Sequence, residues 1–160
     1  MIDPEIRALF EVPYGGLIEA IESLGPGEFK PDSEPIRKIK NGKGQLCDVA
    51  FGLRYVFTDK QMLLRIRCSF RREADGSWKR YHYAHHCGPS LESADSYKDT
   101  YFRIDLDAAN GYHVHLPPFR PRHVPAAEVE PDTVDVDPFR FLGWVRDYRR
   151  IDICPLRKRS

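Results

Sequence analysis

The chain is 160 residues long, and its 41% hydrophobic and 31% charged residues are typical of a folded globular domain rather than a disordered chain. Its 25 Lys and Arg residues nearly balance 24 Asp and Glu residues, so the net charge of +1 does not indicate a nucleic-acid, membrane or acidic partner. No apolar run approaches the roughly 20 residues of a membrane span, and the N-terminus lacks the pattern of a secretion signal. We therefore expect a cytoplasmic protein with four reduced cysteines, folded as a single domain over residues 1–160.

The N-terminal region, residues 1–44, is predicted to be a helical arm followed by a loop. Over residues 3–24 apolar residues recur three and four positions apart, with an interruption at residues 13–16. Residues 25–44 are rich in Pro, Gly and Lys, which is typical of an irregular connection.

Residues 45–116 are predicted to form an antiparallel sheet, because apolar and polar residues alternate with a period of two. Turns at Asp59-Lys60 and Asp75-Gly76 separate the first segments. In the first hairpin, pairing Tyr55 with Leu64 places the alternating apolar residues of both strands on one face, which is the condition that a correct register must meet. The predicted strands are residues 47–57, 62–70, 78–86, 101–106 and 112–116.

The C-terminal region is predicted to be a proline-rich loop over residues 117–136 and a helix over residues 137–150. Asp137 is a suitable N-cap, and Pro138 suits the first helical position. The predicted fold class is therefore α+β. A curved antiparallel sheet of about five strands has the N- and C-terminal helices packed on its apolar face.

The other face of the predicted sheet collects basic and imidazole side chains. The first hairpin sets Arg54 opposite Arg65, and like charges in that position destabilise a sheet unless an anion or solvent separates them. The turn at Asp75-Gly76 brings His82 and His86 to the same face, although a slip of one residue would reverse this assignment.

The last hairpin places a carboxylate beside a histidine. A five-residue loop sets Asp105 opposite His113, and a three-residue loop sets Asp105 opposite His115; the apolar face is preserved in both. Histidine exchanges protons near neutral pH, and a neighbouring carboxylate orients the ring. We therefore predict His113, His115 and Asp105 as catalytic residues.

Arginines on the same face indicate a phosphate-bearing substrate, since guanidinium groups bind phosphate through two parallel hydrogen bonds. The predicted substrate-binding residues are Arg65, Arg67 and Arg103. Together with the histidines they suit transphosphorylation of RNA. A solvated charged face with no function is the alternative for these arginines.

Metal binding is a second interpretation of the histidines. An H-x-H on a strand projects both rings to one side, and the zinc-competent residues also include His85, Cys87 and His123. The spacing matches no zinc-finger or ribbon motif, so we expect no cofactor. If a metal is present, the predicted ligands are His82, His86, His113 and His115.

From Tyr101 onward the sequence resembles the TumE-like family of toxin–antitoxin toxins. The resemblance rests on Phe102-Arg103-Ile104-Asp105, on Gly111-Tyr112-His113-Val114-His115, on Phe119 and on the aromatic helix that begins at Pro138. It covers residues 101–116 by motif and residues 47–148 by the order of elements. It implies a growth-inhibiting prokaryotic toxin that a partner antitoxin neutralises.

The leading hypothesis is thus a toxin-like, metal-independent ribonuclease with RNA and an antitoxin protein as partners and no contact with membranes. Two alternatives stay open: a non-catalytic module that binds a partner protein through the polar face, and a metal-dependent enzyme with histidine ligands.

Overall fold

The computed structural model describes residues 2–30, 35–90, 100–117 and 123–160. The described residues form an α+β fold with three α-helices, ten strands and a short 3₁₀ helix. The helices are α1 (Pro4–Glu11), α2 (Leu17–Glu22) and α3 (Pro138–Ile151), and the 3₁₀ helix is Ala126–Glu128. The strands are β1 (Gly27–Phe29), β2 (Arg37–Lys40), β3 (Leu46–Phe57), β4 (Met62–Arg72), β5 (Trp78–Pro89), β6 (Phe102–Asp107), β7 (Gly111–His115), β8 (Val124–Pro125), β9 (Val129–Glu130) and β10 (Arg157–Lys158).

Within these ranges, eight strands form one antiparallel sheet in the order β1-β3-β4-β5-β6-β7-β8, with β2 pairing beside β1 on β3. The prediction of about five strands is wrong in number. The additional strands β1, β2 and β8 lie in regions predicted as loops, and their two to four residues are too few to show an alternating pattern. A second, two-stranded sheet pairs β9 with β10, so the basic end of the chain is part of the fold.

The register of the central hairpins agrees with the sequence pattern. Arg54 lies opposite Arg65, and Asp105 lies opposite His113. A two-residue turn at Asp75-Gly76 predicts that Phe70 pairs with Tyr81; this is wrong, because a bulge after Ser69 shifts Phe70 to face Arg80. On the side of the bulge away from the turn, Ser69 lies opposite His82 and Arg65 lies opposite His86, so both histidines are on the predicted face.

Aromatic contacts connect the helices with the apolar face of the sheet. The Phe10 ring of α1 lies edge-on to Phe51 of β3, with ring centroids 4.6 Å apart. The Phe141 ring of α3 lies 5.4 Å from Phe102 of β6. The Asp137 carboxylate caps α3 by accepting a hydrogen bond from the Arg140 amide, as the Asp-Pro pair indicates.

Among the described residues, none of the helices has both the length and the apolar character needed to cross a membrane.

Candidate metal centre

Three imidazoles and one carboxylate meet on the face of the sheet opposite the helices, at the end formed by β6, β7 and β8. His113 and His115 are alternate residues of β7, so both rings project to one side. The register of β7 with β8 sets His113 opposite Pro125, and the His123 ring just before β8 has its centroid 4.6 Å from that of His113 and 4.9 Å from that of His115. Asp105 of β6 faces His113 directly.

His113 is held in one orientation by its own turn. Its Nδ1 atom is 2.9 Å from the carbonyl oxygen of Gly111. A carbonyl only accepts hydrogen bonds, so Nδ1 carries a proton and donates it. In the neutral ring the lone pair is then on Nε2, the atom that points toward Asp105.

Asp105 presents its two oxygens to different partners. Arg103 Nε donates to Oδ1 at 2.8 Å, whereas Oδ2 lies 3.4 Å from His113 Nε2 and 3.5 Å from His115 Nε2. Burial by itself raises the pKa of the Asp105 carboxyl, but the two histidines and Arg103 outweigh it and hold that pKa well below its usual range. Asp105 is therefore an anion at neutral pH, with Oδ2 directed at the histidines.

The spacing of these atoms is that of metal ligands. An N–H···O hydrogen bond is about 2.7–3.2 Å long, and both Oδ2 contacts exceed it. Ligand atoms about 2.0–2.1 Å from a tetrahedral zinc stand roughly 3.3 Å from one another. His113 Nε2 and Asp105 Oδ2 thus already have the separation that two ligands of one ion keep.

His123 completes the group from the solvent side. Its ligand atom and those of His113 and His115 all lie within 4.8 Å of one another, and its side chain is exposed. Burial and the neighbouring His113 and His115 lower the pKa of His123, which favours the neutral form that a metal ligand requires. Ligands of one tetrahedral ion stand roughly 3.3 Å apart, so coordination by all three rings requires their nitrogens to move closer than the present spread of up to 4.8 Å.

The site is buried, which the sequence pattern does not indicate. His113 is 1% exposed, His115 is 0% exposed and Asp105 is 4% exposed. The alternation that predicts the sheet does not show whether its polar face is solvated, as is common in antiparallel sheets, or covered. At these three residues it is covered.

The other predicted site residues lie farther along the same face. Arg103 contacts Asp105, and His86 lies between Arg65 and Arg103 in neighbouring strands. Arg65 is buried, whereas Arg67 is exposed.

His82 and His86 do not join the group of ligand atoms that the described residues form. Burial lowers the pKa of the half-buried His82. His82 lies opposite Ser69, which is two residues from Arg67 along β4. Of the four ligands predicted in the event of a metal, the structure brings together His113 and His115 and adds His123.

His123 is the residue that the predicted site omits. Its only signal in the sequence is its place among the zinc-competent side chains, because β8 has two residues, one of them Pro125, and cannot show a strand period. Phe119, which contributes to the resemblance to TumE-like toxins, lies outside the described residues.

No protein-family model matches the chain, and no curated protein or solved structure is significantly similar to it.

Proposed function

We propose that the protein is a metal-dependent enzyme whose divalent transition metal is held by His113, His115, His123 and Asp105. One observation carries the proposal: inside the protein, Oδ2 of the Asp105 anion lies 3.4 Å from His113 Nε2 and 3.5 Å from His115 Nε2. When the imidazoles are neutral, a ring nitrogen and a carboxylate oxygen that face each other in a buried site repel unless a cation lies between them. Imidazole nitrogens and a carboxylate are the ligand set of zinc and of other first-row divalent metals.

The surroundings of the ligands support this proposal. The Gly111 carbonyl fixes the tautomer of His113, and Arg103 fixes the carboxylate of Asp105. Such hydrogen bonds behind the ligands are what orients them at known metal sites. His123, on the exposed side, marks the direction from which a substrate reaches the metal.

The reaction that we propose is hydrolysis of a phosphate ester. Four protein ligands fill a tetrahedral zinc but leave one or two positions open on an ion of higher coordination number, such as manganese or iron(II). An ion held in that way would lower the pKa of a bound water and polarise a phosphoryl oxygen. The contribution of the chain itself is to exclude bulk water from His113 and His115 and to place Arg103 against Asp105, with Arg65 two strands farther along the same face.

The second candidate is the metal-independent ribonuclease, together with its antitoxin partner. It is favoured by the charge state of His113. Burial opposes the charged ring, but Asp105 and the Gly111 carbonyl outweigh it and raise the pKa of His113 above its usual value. A proton then occupies the position that a metal takes in the first candidate, and His113 serves as a general acid.

Chelation separates the two candidates. Purified protein is assayed on bis(p-nitrophenyl) phosphate and on a single-stranded RNA, before and after dialysis against a chelator and after zinc, manganese or iron(II) is restored. We expect cleavage of the phosphodiester to disappear with the metal and to return with one of the ions. RNA cleavage that survives chelation and is abolished by His113→Gln would overturn the first candidate in favour of the second. His82→Gln, which alters a histidine outside the metal group, is the matched control for both assays.

A further inference from the structure

We propose that an exposed basic surface on β2, β4 and β5 binds single-stranded nucleic acid. This basic surface consists of Arg37, Arg71, Lys79 and Tyr81, and it shares no residue with the metal centre. The proposal goes beyond the proposed function, because binding at this surface requires no metal. The net charge of +1 does not reveal the surface, since a sum of charges says nothing about where they lie.

The register of the sheet gathers the cations on one face. Arg71 of β4 lies opposite Asp48 of β3 on one side and opposite Lys79 of β5 on the other. Residues directly opposite each other in an antiparallel sheet project from the same face. Arg37 reaches the same place from β2, because its Nη2 atom lies 3.5 Å from Oδ1 of Asp48. Three cations therefore surround one carboxylate, and positive charge is in excess.

The bulge between β4 and β5 explains why Tyr81 joins this surface. Ser69 lies opposite His82 and Phe70 lies opposite Arg80, so Tyr81 is the extra residue of β5. Regular alternation would place Tyr81 among the apolar side chains of the other face. A bulge redirects the side chain, and the Tyr81 hydroxyl instead contacts Asp48.

Tyr81 and Asp48 hold two of the cations in place. The Tyr81 hydroxyl donates a hydrogen bond to Oδ2 of Asp48 at 2.8 Å and accepts one from Arg37 Nη2 at 3.0 Å. The Arg71 guanidinium lies 4.3 Å from the centre of the Tyr81 ring, and its Nη2 atom is 3.9 Å from Oδ2 of Asp48. Both arginines are thus oriented before a ligand arrives, which lowers the entropy lost on binding.

The cations are accessible to a large ligand. The side chain of Arg37 is 54% exposed and that of Arg71 is 61% exposed, whereas Asp48 beneath them is buried. Lys79 is exposed and forms no ion pair within the described part of the chain. All three side chains therefore present N–H groups to solvent, where the phosphates of a polyanion can accept hydrogen bonds from them.

The stacked guanidinium of Arg71 favours single-stranded nucleic acid over other polyanions. Unpaired bases stack on aromatic rings and on the planes of arginine guanidinium groups. Arg71 offers such a plane, with Arg37 and Lys79 on either side of it to contact phosphates. Membrane binding would instead require apolar side chains that insert between lipids, and the members of the basic surface are polar.

Fluorescence anisotropy of a labelled ten-nucleotide 2′-O-methyl RNA tests the proposal on the purified full-length chain in the presence of a chelator. The probe has no free 2′-hydroxyl and the chelator removes metal, so neither candidate reaction cleaves it. We expect Arg71→Gln/Lys79→Gln to weaken binding by about 10- to 100-fold. The matched control is Arg146→Gln/Arg150→Gln, which removes the same charge from exposed sites on α3 and should change affinity by less than about twofold.

Two further measurements separate direct contacts from general charge. Three cationic contacts to a single strand predict that affinity falls by roughly 20-fold between about 50 and 200 mM salt, and the double variant should lose most of this dependence. Arg71→Lys keeps the charge and removes the plane. It should weaken binding of the probe by about fivefold and leave binding of an abasic strand of the same length unchanged.

A parent chain that does not bind the probe at about 50 mM salt, or equal affinities in the double variant and its control, would overturn the proposal. So would a duplex, a polyglutamate peptide or anionic vesicles that bind as tightly through the same residues. If replacing Arg71 unfolds the protein, Lys79→Gln decides the question with an expected loss of about fivefold, since Lys79 has no ion pair with Asp48. Metal is absent throughout, so the result is independent of the metal centre.

Discussion

The Nε2 atom of His113 lies 3.4 Å from Oδ2 of Asp105, and both residues are buried. The proton on the other nitrogen of His113 is donated to the Gly111 carbonyl, which turns Nε2 toward the carboxylate. This pair joins the fold to the proposed chemistry. The register of β6 and β7 places the two residues opposite each other, and a cation bound between the two atoms stabilises that arrangement.

The charge of Asp105 should be essential to metal binding. Asp105→Asn keeps the size of the side chain and replaces the anionic oxygen with a neutral amide, so we expect metal affinity to fall by about 10- to 100-fold or more. Competition against a chromogenic chelator measures the change. Asp107→Asn is the matched control, because Asp107 is farther from His113 Nε2, at 3.8 Å, and affinity should stay within about threefold. Equal losses in the two variants would mean that general negative charge, and not a ligand, was removed.

His123 should affect metal binding without affecting folding. Because its side chain is exposed, His123→Gln should change the free energy of unfolding of the metal-free protein by less than about 0.5 kcal/mol. The same variant should lower metal affinity by about 10-fold or more. Urea denaturation and the chelator competition measure the two quantities. A large loss of stability together with unchanged metal affinity would assign His123 a structural role.

Replacing both His113 and His115 with Gln should destabilise the protein. Exposed positions would tolerate the change within about 0.5 kcal/mol, but these rings are buried and the variant leaves the Asp105 anion without its imidazole partners. We expect a loss of about 2–4 kcal/mol, since breaking a buried charged network is costly. Chemical denaturation of the metal-free protein at neutral pH measures it. A change below about 0.5 kcal/mol would show that the pair contributes nothing to folding.

The sequence predicts the central part of this architecture because β3 to β7 are long enough to alternate. A register that puts Arg54 opposite Arg65 is the one that keeps the apolar side chains together, and the structure has that register. Alternation shows which residues share a face, but it cannot show whether that face is covered. The burial of His113 and the position of His123, which precedes a two-residue strand, therefore do not follow from the pattern.

His85 should make stability depend on pH. It lies in the apolar face, where burial, with the nearby Arg80, lowers its pKa from 6.5 to about 3. The unfolded chain therefore binds a proton below pH 6.5 that the folded chain does not. The contribution of neutral His85 is complete above pH 6.5 and is lost as the pH falls toward 3, by up to about 1.4 kcal/mol per pH unit.

The variant His85→Phe isolates that effect. A phenyl ring preserves the stacking on Tyr83, whose ring centroid is 4.7 Å from that of His85. Urea denaturation at pH 7.5, 6.0 and 5.0 should show that the variant loses less stability on acidification than the parent chain. Parallel pH profiles would show that His85 becomes protonated within the folded protein.

Arg149 connects α3 to the first hairpin, and we expect its loss to destabilise the fold. Its side chain is 9% exposed; Nε donates to the carbonyl oxygen of Leu24 at 3.0 Å, and Nη2 donates to Asp59 Oδ2 at 2.6 Å. The guanidinium also lies 4.0 Å above the Phe57 ring. Arg149→Gln should lower the free energy of unfolding by about 2–3 kcal/mol, whereas the exposed Arg150→Gln should change it by less than about 0.5 kcal/mol. Thermal denaturation of both variants compares them, and similar melting temperatures would contradict this role.

The metal content of the purified protein tests the central proposal most directly. The untagged chain is purified without chelators and analysed by elemental mass spectrometry, beside the double variant His113→Gln/His123→Gln and the control His82→Gln. We predict close to one equivalent of a single first-row transition metal in the parent chain and in the control, and less than about one tenth of an equivalent in the double variant. A parent chain that holds no metal and takes up none from a zinc, manganese or iron(II) buffer would contradict the proposal.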